Sequence, residues 1–200
     1  MVRAKLYVEG AGPRRAQQSQ CRRAFAKFFE SAGVKNRPGV EPCGGRKEAF
    51  DNFCRAMKTA GADELPLLLV DSEDTVAAEH TAWEHLKARP SDGWDRPKGA
   101  ADDQAFLMVQ VMETWLLADP AALRQHFGPQ FSNAPLRAWP ALEAVPKQTV
   151  FEVLAKATAN CKQTYRKGDV SFDVLASLTP ARVEAACPHA QALLQRLRSL

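Results

Sequence analysis

Apolar positions follow two rhythms along this chain. Short continuous runs, residues 5–8 and 67–70, are bounded by polar or glycine-rich stretches and read as buried strands. Between them, Phe25, Phe28 and Phe29 recur at near-helical spacing, in a stretch that follows Pro13 and ends near Gly33. A short extended piece, GVEPC (residues 39–43), comes next. GGR (residues 44–46) then opens a second helix with Phe50, Phe53 and Met57 on one side. Residues 75–89 predict a third helix, with Trp83 and Leu86 facing inward. Residues 89–103 are rich in proline and glycine and predict a long loop. AFLMVQV (residues 105–111) reads as a fourth strand running into METWLLAD (residues 112–119), a helix.

Strands that alternate with helices predict an α/β fold: a Rossmann-like, parallel four-stranded sheet flanked by helices, with right-handed crossovers. After Pro120 the pattern is helical, broken by Pro129, Pro135, Pro140, Pro146, Gly168 and Pro180, with no convincing strand. The expected organisation is an α/β domain over residues 1–119 and a helical C-terminal extension, residues 120–200, packed on it. No internal repeat or low-complexity tract is present.

Composition narrows the classes. The 200 residues are 46% hydrophobic and 25% charged, ordinary for a folded chain and too apolar for general disorder. The formal net charge of +4, with a basic cluster at Arg14, Arg15, Arg22, Arg23 and Lys27, is compatible with a polyanionic partner. The first apolar run stops at Glu9, unlike a signal peptide, and Gln110 and Glu113 interrupt the best candidate for a membrane span. Five scattered cysteines without a CxxC pair fit reduced thiols in the cytoplasm better than a disulfide framework.

Two of the buried strands end on acid. LYVEGAGP (residues 6–13) places Glu9 after the first strand, and LLLVDSED (residues 67–74) places Asp71 and Glu73 after the third. In the order 2-1-3-4 these strands are neighbours, and open parallel sheets form sites at carboxyl ends where the strand order reverses. Carboxylates held that close repel unless one is protonated or a cation joins them. An all-oxygen set with few histidines favours Mg2+ or Mn2+ over zinc. Gly10 and Gly12 would let the backbone approach a ligand. The plainer alternative is that Glu9 and Asp71 are turn or helix-capping acids.

Other constellations carry their own alternatives. Gly44, Gly45 and Arg46 stand at a helix start, where backbone N–H groups and a guanidinium bind phosphate, or form an ordinary turn. This is no Walker A loop, because the pair after Gly44 is Gly45-Arg46 rather than Lys-Ser/Thr. Glu113, just past the fourth strand, can reach the same pocket. Trp115 reads as core and Asp119 as the cap of a helix starting at Pro120. Asp102 and Asp103 read as a solvated loop. Arg89, Trp94, Arg96 and Lys98 could hold a nucleic-acid strand, or the loop could simply tuck its Trp inward. His80 and His85 do not match a zinc motif and read as surface residues. Lys147, Arg166 and Lys167 read as solvated cations.

VEG after the first strand and DSED after the third resemble the Toprim domain, the metal site of topoisomerases, primases and OLD-type nucleases. The resemblance covers about the first 120 residues. It implies that Glu9 is the acid/base glutamate and that Asp71 and Glu73 are metal ligands, Glu73 standing where an aspartate is usual and Asp74 following it. GGR, METWLLAD, VPK ending at Lys147 and YRKG ending at Gly168 are similar to an uncharacterised Toprim-related family, domain-of-unknown-function family 4276. That family is often encoded beside AAA-type ATPases in phage-defence loci, and the resemblance is to an OLD/AbiL-like nuclease component of such systems. The resemblance implies a Mg2+- or Mn2+-dependent nuclease acting on DNA or RNA with an AAA- or ABC-type ATPase partner and no membrane. It also implies Lys147 and Lys167 as phosphate contacts, with Arg46 and Lys147 steadying charge in the transition state and Gly10, Gly44 and Gly45 lining the substrate. A different class of answer is a non-catalytic binding or regulatory subunit. A receiver-like module within that class would need an acidic pair after the first strand, where only Glu9 stands.

Overall fold

The computed structural model describes residues 2–200. Four parallel strands form one sheet in the order β2-β1-β3-β4: β1 (Arg3–Val8), β2 (Gly39–Pro42), β3 (Glu64–Asp71) and β4 (Ala105–Met108). Helices α1 (Arg15–Ser31), α2 (Arg46–Thr59) and α3 (Ala82–Ala88) make the crossovers. Then α4 (Glu113–Leu117), α5 (Pro120–Phe127), α6 (Lys147–Ala157), α7 (Asp169–Leu175), α8 (Pro180–Ala186) and α9 (Pro188–Arg198) follow.

Period-2 alternation along each strand sends side chains to two apolar layers. Leu6, Val8, Leu67, Leu69, Phe106 and Met108 enter one layer, with α1 and the helices from α4 onward. Tyr7, Leu68, Val70 and Leu107 enter the other, with residues of α2 and α3. Both faces are covered, which is why the strands read as continuous apolar runs. In the first layer Trp115 is fully buried, stacked on Phe28 at 5.7 Å with Phe25 at 6.5 Å. The helices after Pro120 join this layer: Leu154, Leu175 and Leu193 belong to the same cluster as Phe25 and Leu69.

Three local readings are corrected. β3 begins at Glu64, ahead of the expected Leu67, although Pro66 lies within it. Pro66 pairs with Lys5 of β1 on one side, while β4 pairs with β3 only from Leu68 onward, so the missing N–H leaves no gap in the ladder. Gln104 Nε2 donates to the Pro66 carbonyl at 2.8 Å. The third helix starts at Ala82, not near residue 75. Thr81 and Glu84 form a reciprocal capping box there: the Glu84 N–H donates to Thr81 Oγ1 at 3.2 Å and the Thr81 N–H to Glu84 Oε2 at 2.7 Å. β4 stops at Met108, not Val111, because the chain beyond it bends to meet the exit of β3. The Ser72 and Glu73 N–H groups donate to the Met108 and Gln110 carbonyls at 2.9 and 2.8 Å.

The chain leaves β1 outward to β2, then returns past β1 to β3 and β4. The direction of winding therefore reverses between β1 and β3, and a crevice opens at their carboxyl ends.

Candidate metal centre

Glu9 follows β1 directly and Asp71 ends β3, so parallel pairing of these strands brings their carboxylates together. Glu73 joins them two residues later. One carboxylate oxygen from each of the three lies within 4.8 Å of the others. Glu73 and Ala11 are the non-glycine residues with left-handed backbone among those described (φ 67° and 61°), one after each acidic strand end. That conformation costs roughly 1–2 kcal/mol per L-residue, and such strain concentrates at functional sites. Glu73 is held in place by its N–H bond to Gln110 and by an ion pair with Lys147.

Each acid has a specific set of partners. Glu9 Oε2 accepts from the Asp71 N–H at 3.0 Å and from Arg46 Nη1 at 3.4 Å. Asp71 is 4% exposed; its Oδ1 accepts from the Met112 N–H at 2.8 Å and its Oδ2 lies 3.9 Å from Lys167 Nζ. Burial, with Glu9 and Glu113 alongside, pushes the Asp71 carboxyl well above the usual range. Burial also pushes Glu9 up, against the opposing pull of Arg46 and the Asp71 N–H. Burial works to lower Lys167, but Glu113, Asp71, Glu73 and Glu9 together outweigh it and raise the ammonium's pKa.

Glu113 is the fourth acid and the deepest, only 1% exposed. Its Oε1 accepts from Tyr165 Oη and Ser171 Oγ, each at 3.0 Å, while its Oε2 has no hydrogen-bond partner. A buried carboxylate oxygen left unsatisfied is expensive. Together with an all-oxygen donor set, it fits a hard divalent cation. Glu9, Asp71, Glu113, Lys167 and the backbone of Gly10 and Gly44 share a cavity of about 170 Å³, closed on one side by Gly168 and Phe172 at the start of α7. Gly10 and Gly44 exchange two backbone hydrogen bonds, 2.8 and 3.1 Å, and tie the ends of β1 and β2 at its floor. Gly10 has φ 124° and the Phe172 ring packs against it, so the turn requires glycine.

Arg46 reaches the site, but its guanidinium is heavily committed. It donates to the Asp71 carbonyl, to Glu9 and to Asp92, and lies over the Trp94 ring at 5.2 Å. Trp94 in turn stacks on Phe50 at 4.4 Å. Asp92 also pairs with Arg89, at 2.9 Å. Arg89 and His85 both engage the Ser72 carbonyl, at 2.9 and 3.0 Å. The loop after α3 is thus a buckle on the exit of β3. His85 is buried, a correction to its reading as a surface residue, because its ring serves that carbonyl. Gly45 is the N-cap residue of α2. Lys147 begins α6, its N–H donating to Gln110 Oε1 at 3.1 Å and its ammonium paired with Glu73. Asp119 caps α5 as expected and also receives Arg182 at 2.7 Å.

A family model described as Domain of unknown function (DUF4276) matches residues 8–198. The chain belongs to that family. No curated protein and no solved structure gives a significant match.

The match spans the acidic strand ends and the C-terminal helices alike. Among the DUF4276 residues around Glu113, Tyr165 and Ser171 escape sequence reasoning. Tyr165 lies in the YRKG stretch, but nothing local marks Ser171, more than 50 residues from Glu113. Asp92 is hidden in a loop that reads as solvated. A larger groove, about 620 Å³, lies at the other end of the sheet, around the starts of β1, β2 and β3. Its cations are already paired, Arg3 with Asp63, Lys5 with Glu41 and Arg37 with Glu30, and no acidic triad stands there among the described residues.

Proposed function

We propose that this protein is a metal-dependent phosphodiesterase of Toprim type, a nuclease that acts on DNA or RNA in phage defence beside an AAA- or ABC-type ATPase. The observation that carries the reading is the convergence of Glu9, Asp71 and Glu73 within 4.8 Å at the switch point of the sheet. Glu9, Asp71 and Glu73 would hold Mg2+ or Mn2+, with Glu113 behind Asp71. When bound, the ion supplies Lewis-acid chemistry toward a phosphodiester.

The chain's own groups divide the remaining tasks. Glu9, with its pKa raised by burial, is the group suited to take a proton from an attacking water. Arg46 orients that carboxylate through Nη1 and is itself held by Asp92. In this reading it is a positioning residue for Glu9 rather than the phosphate fork its sequence context suggests. Lys147 and Lys167, both exposed, neutralise Glu73 and Asp71. Each would be available to a phosphate if its carboxylate were engaged by a cation. Gly10 and Gly44 keep side chains out of the cavity.

A second reading has one observation in its favour. Glu9, Asp71 and Glu73 each already face a cation, respectively Arg46, Lys167 and Lys147, so the cluster is charge-compensated by the chain itself. This suits a non-catalytic binding or regulatory subunit of an ATPase complex. The test is to incubate the purified chain with labelled single-stranded DNA, duplex DNA and tRNA, with and without Mg2+ or Mn2+, alone and with the ATPase. Metal-dependent cleavage lost in Asp71→Asn supports the nuclease. No cleavage under any of these conditions leaves the subunit.

A further inference from the structure

The solvent face of α1 carries a run of cations, one of which, Arg22, is paired with Glu41 of β2 at 3.3 Å. Arg15, Arg22, Arg23 and Lys27 are all exposed on it, and residues 14–29 contain no acid. Glu30 closes the run and is occupied by Arg37 at 2.6 Å. The buried side of the same helix is the aromatic set Phe25, Phe28 and Phe29, so the helix is anchored and its cationic face cannot turn inward.

The placement of charge runs against helix physics. The amino end of a helix is the positive end of its dipole, and anions stabilise it while cations do not. Yet α1 begins with Arg15 and carries no acid in its first turn. A local rule broken in this way is expected where function requires it. The start of α1 also adjoins the acidic cavity. Gly10 and Ala11 line that cavity, the Gly12 N–H donates to Gln17 Oε1 at 2.7 Å, and Gln20 Nε2 donates to Asp173 of α7 at 2.6 Å. On the same rim stand Lys167, which lines the cavity, and the exposed Arg166.

We propose that the exposed face of α1 is the track for a nucleic-acid backbone, leading a strand to the carboxylate cavity. It rests on the nuclease reading above and adds where the polymer lies. From Arg15 to Lys27 the helix spans about 18 Å, room for several consecutive phosphates of one strand. Recognition along it is electrostatic and independent of sequence, because arginine and lysine on a convex helix face meet phosphates.

The test uses the full chain with Arg15→Gln, Arg23→Gln and Lys27→Gln combined, since glutamine keeps helix propensity. Binding of a fluorescently labelled single strand and a duplex is followed by anisotropy across a salt series in metal-free buffer. Neutralising three phosphate contacts should lower the slope of log K on log salt by roughly 2–3. The Mn2+-induced rise in melting temperature should stay as in the wild type. Arg55→Gln with Lys58→Gln, exposed on α2 across the sheet, should leave the slope unchanged. A triple variant that binds with the wild-type slope, or an equal loss in the α2 pair, overturns the track while leaving the nuclease reading standing. A wild-type chain that binds no nucleic acid even at low salt overturns both, and turns the basic face toward an acidic protein partner.

Discussion

Asp71→Asn separates a metal ligand from a structural cap, because the two roles predict opposite signs. In the metal-free protein Asp71 is buried between Glu9 and Glu113, with Lys167 at 3.9 Å as its cation. Two full charges at 4.8 Å, the reach of the acidic cluster, repel by about 3 kcal/mol at an effective dielectric near 20. Lys167 and Arg46 offset much of that. The amide can still accept the Met112 N–H, so a net gain on the order of 1 kcal/mol remains, which is ~2–4 °C in a chain of this size. A carboxyl raised on folding contributes stability that is complete below its unfolded value, near 3.8, and is lost as pH rises through the folded value. The gain on substitution should therefore be larger at pH 8 than at pH 5. Ligand at a hundred times its Kd adds about 2.7 kcal/mol, or roughly 5–11 °C, to the wild type. The variant should lose most of that shift. Thermal melts by circular dichroism in EDTA and in millimolar Mn2+ measure both terms. A variant that melts several degrees lower in EDTA, beside a wild type indifferent to Mn2+, would refute the argument and leave Asp71 as the residue that caps the Met112 N–H.

Glu9→Gln keeps size and hydrogen bonding but not basicity, so single-turnover cleavage should slow by ~10²–10⁴ with a much smaller change in substrate affinity; an unchanged rate removes Glu9 from the chemistry. Lys147→Gln frees Glu73 of its internal counter-ion, so calorimetry should show Mn2+ binding several-fold more tightly; weaker binding would contradict the idea that the lysine competes with the cation. Burial lowers the His85 pKa, the Ser72 carbonyl opposing and Arg89 and Arg46 reinforcing the shift. The contribution of His85 is therefore complete above about pH 6.5 and is lost as pH falls through the folded value. Denaturant melts should show His85→Gln flattening the decline in stability below that pH, and an equal decline in the variant places the acid sensitivity elsewhere.

The sequence by itself determined the layered α/β plan, the parallel pairing and the acids worth watching. Continuous apolar runs such as LLLV are legible because both faces of a parallel sheet are buried, and Glu9 and Asp71 are legible because each interrupts such a run at its end. The family's own motifs pointed to Arg46, Lys147 and Lys167, all of which reach the acidic cluster. What only the tertiary structure decided depends on contacts between distant segments. Glu113 Oε1 accepts from Tyr165 and Ser171, 52 and 58 residues away, and no local pattern encodes that meeting. Arg46 reads as a free phosphate fork from GGR alone. Asp92, in a loop that looks solvated, engages it only because that loop folds back over the exit of β3. His85 moved inward for the same reason: a carbonyl at the end of β3 must be satisfied, and the side chain that satisfies it is chosen by packing rather than by spacing along the chain.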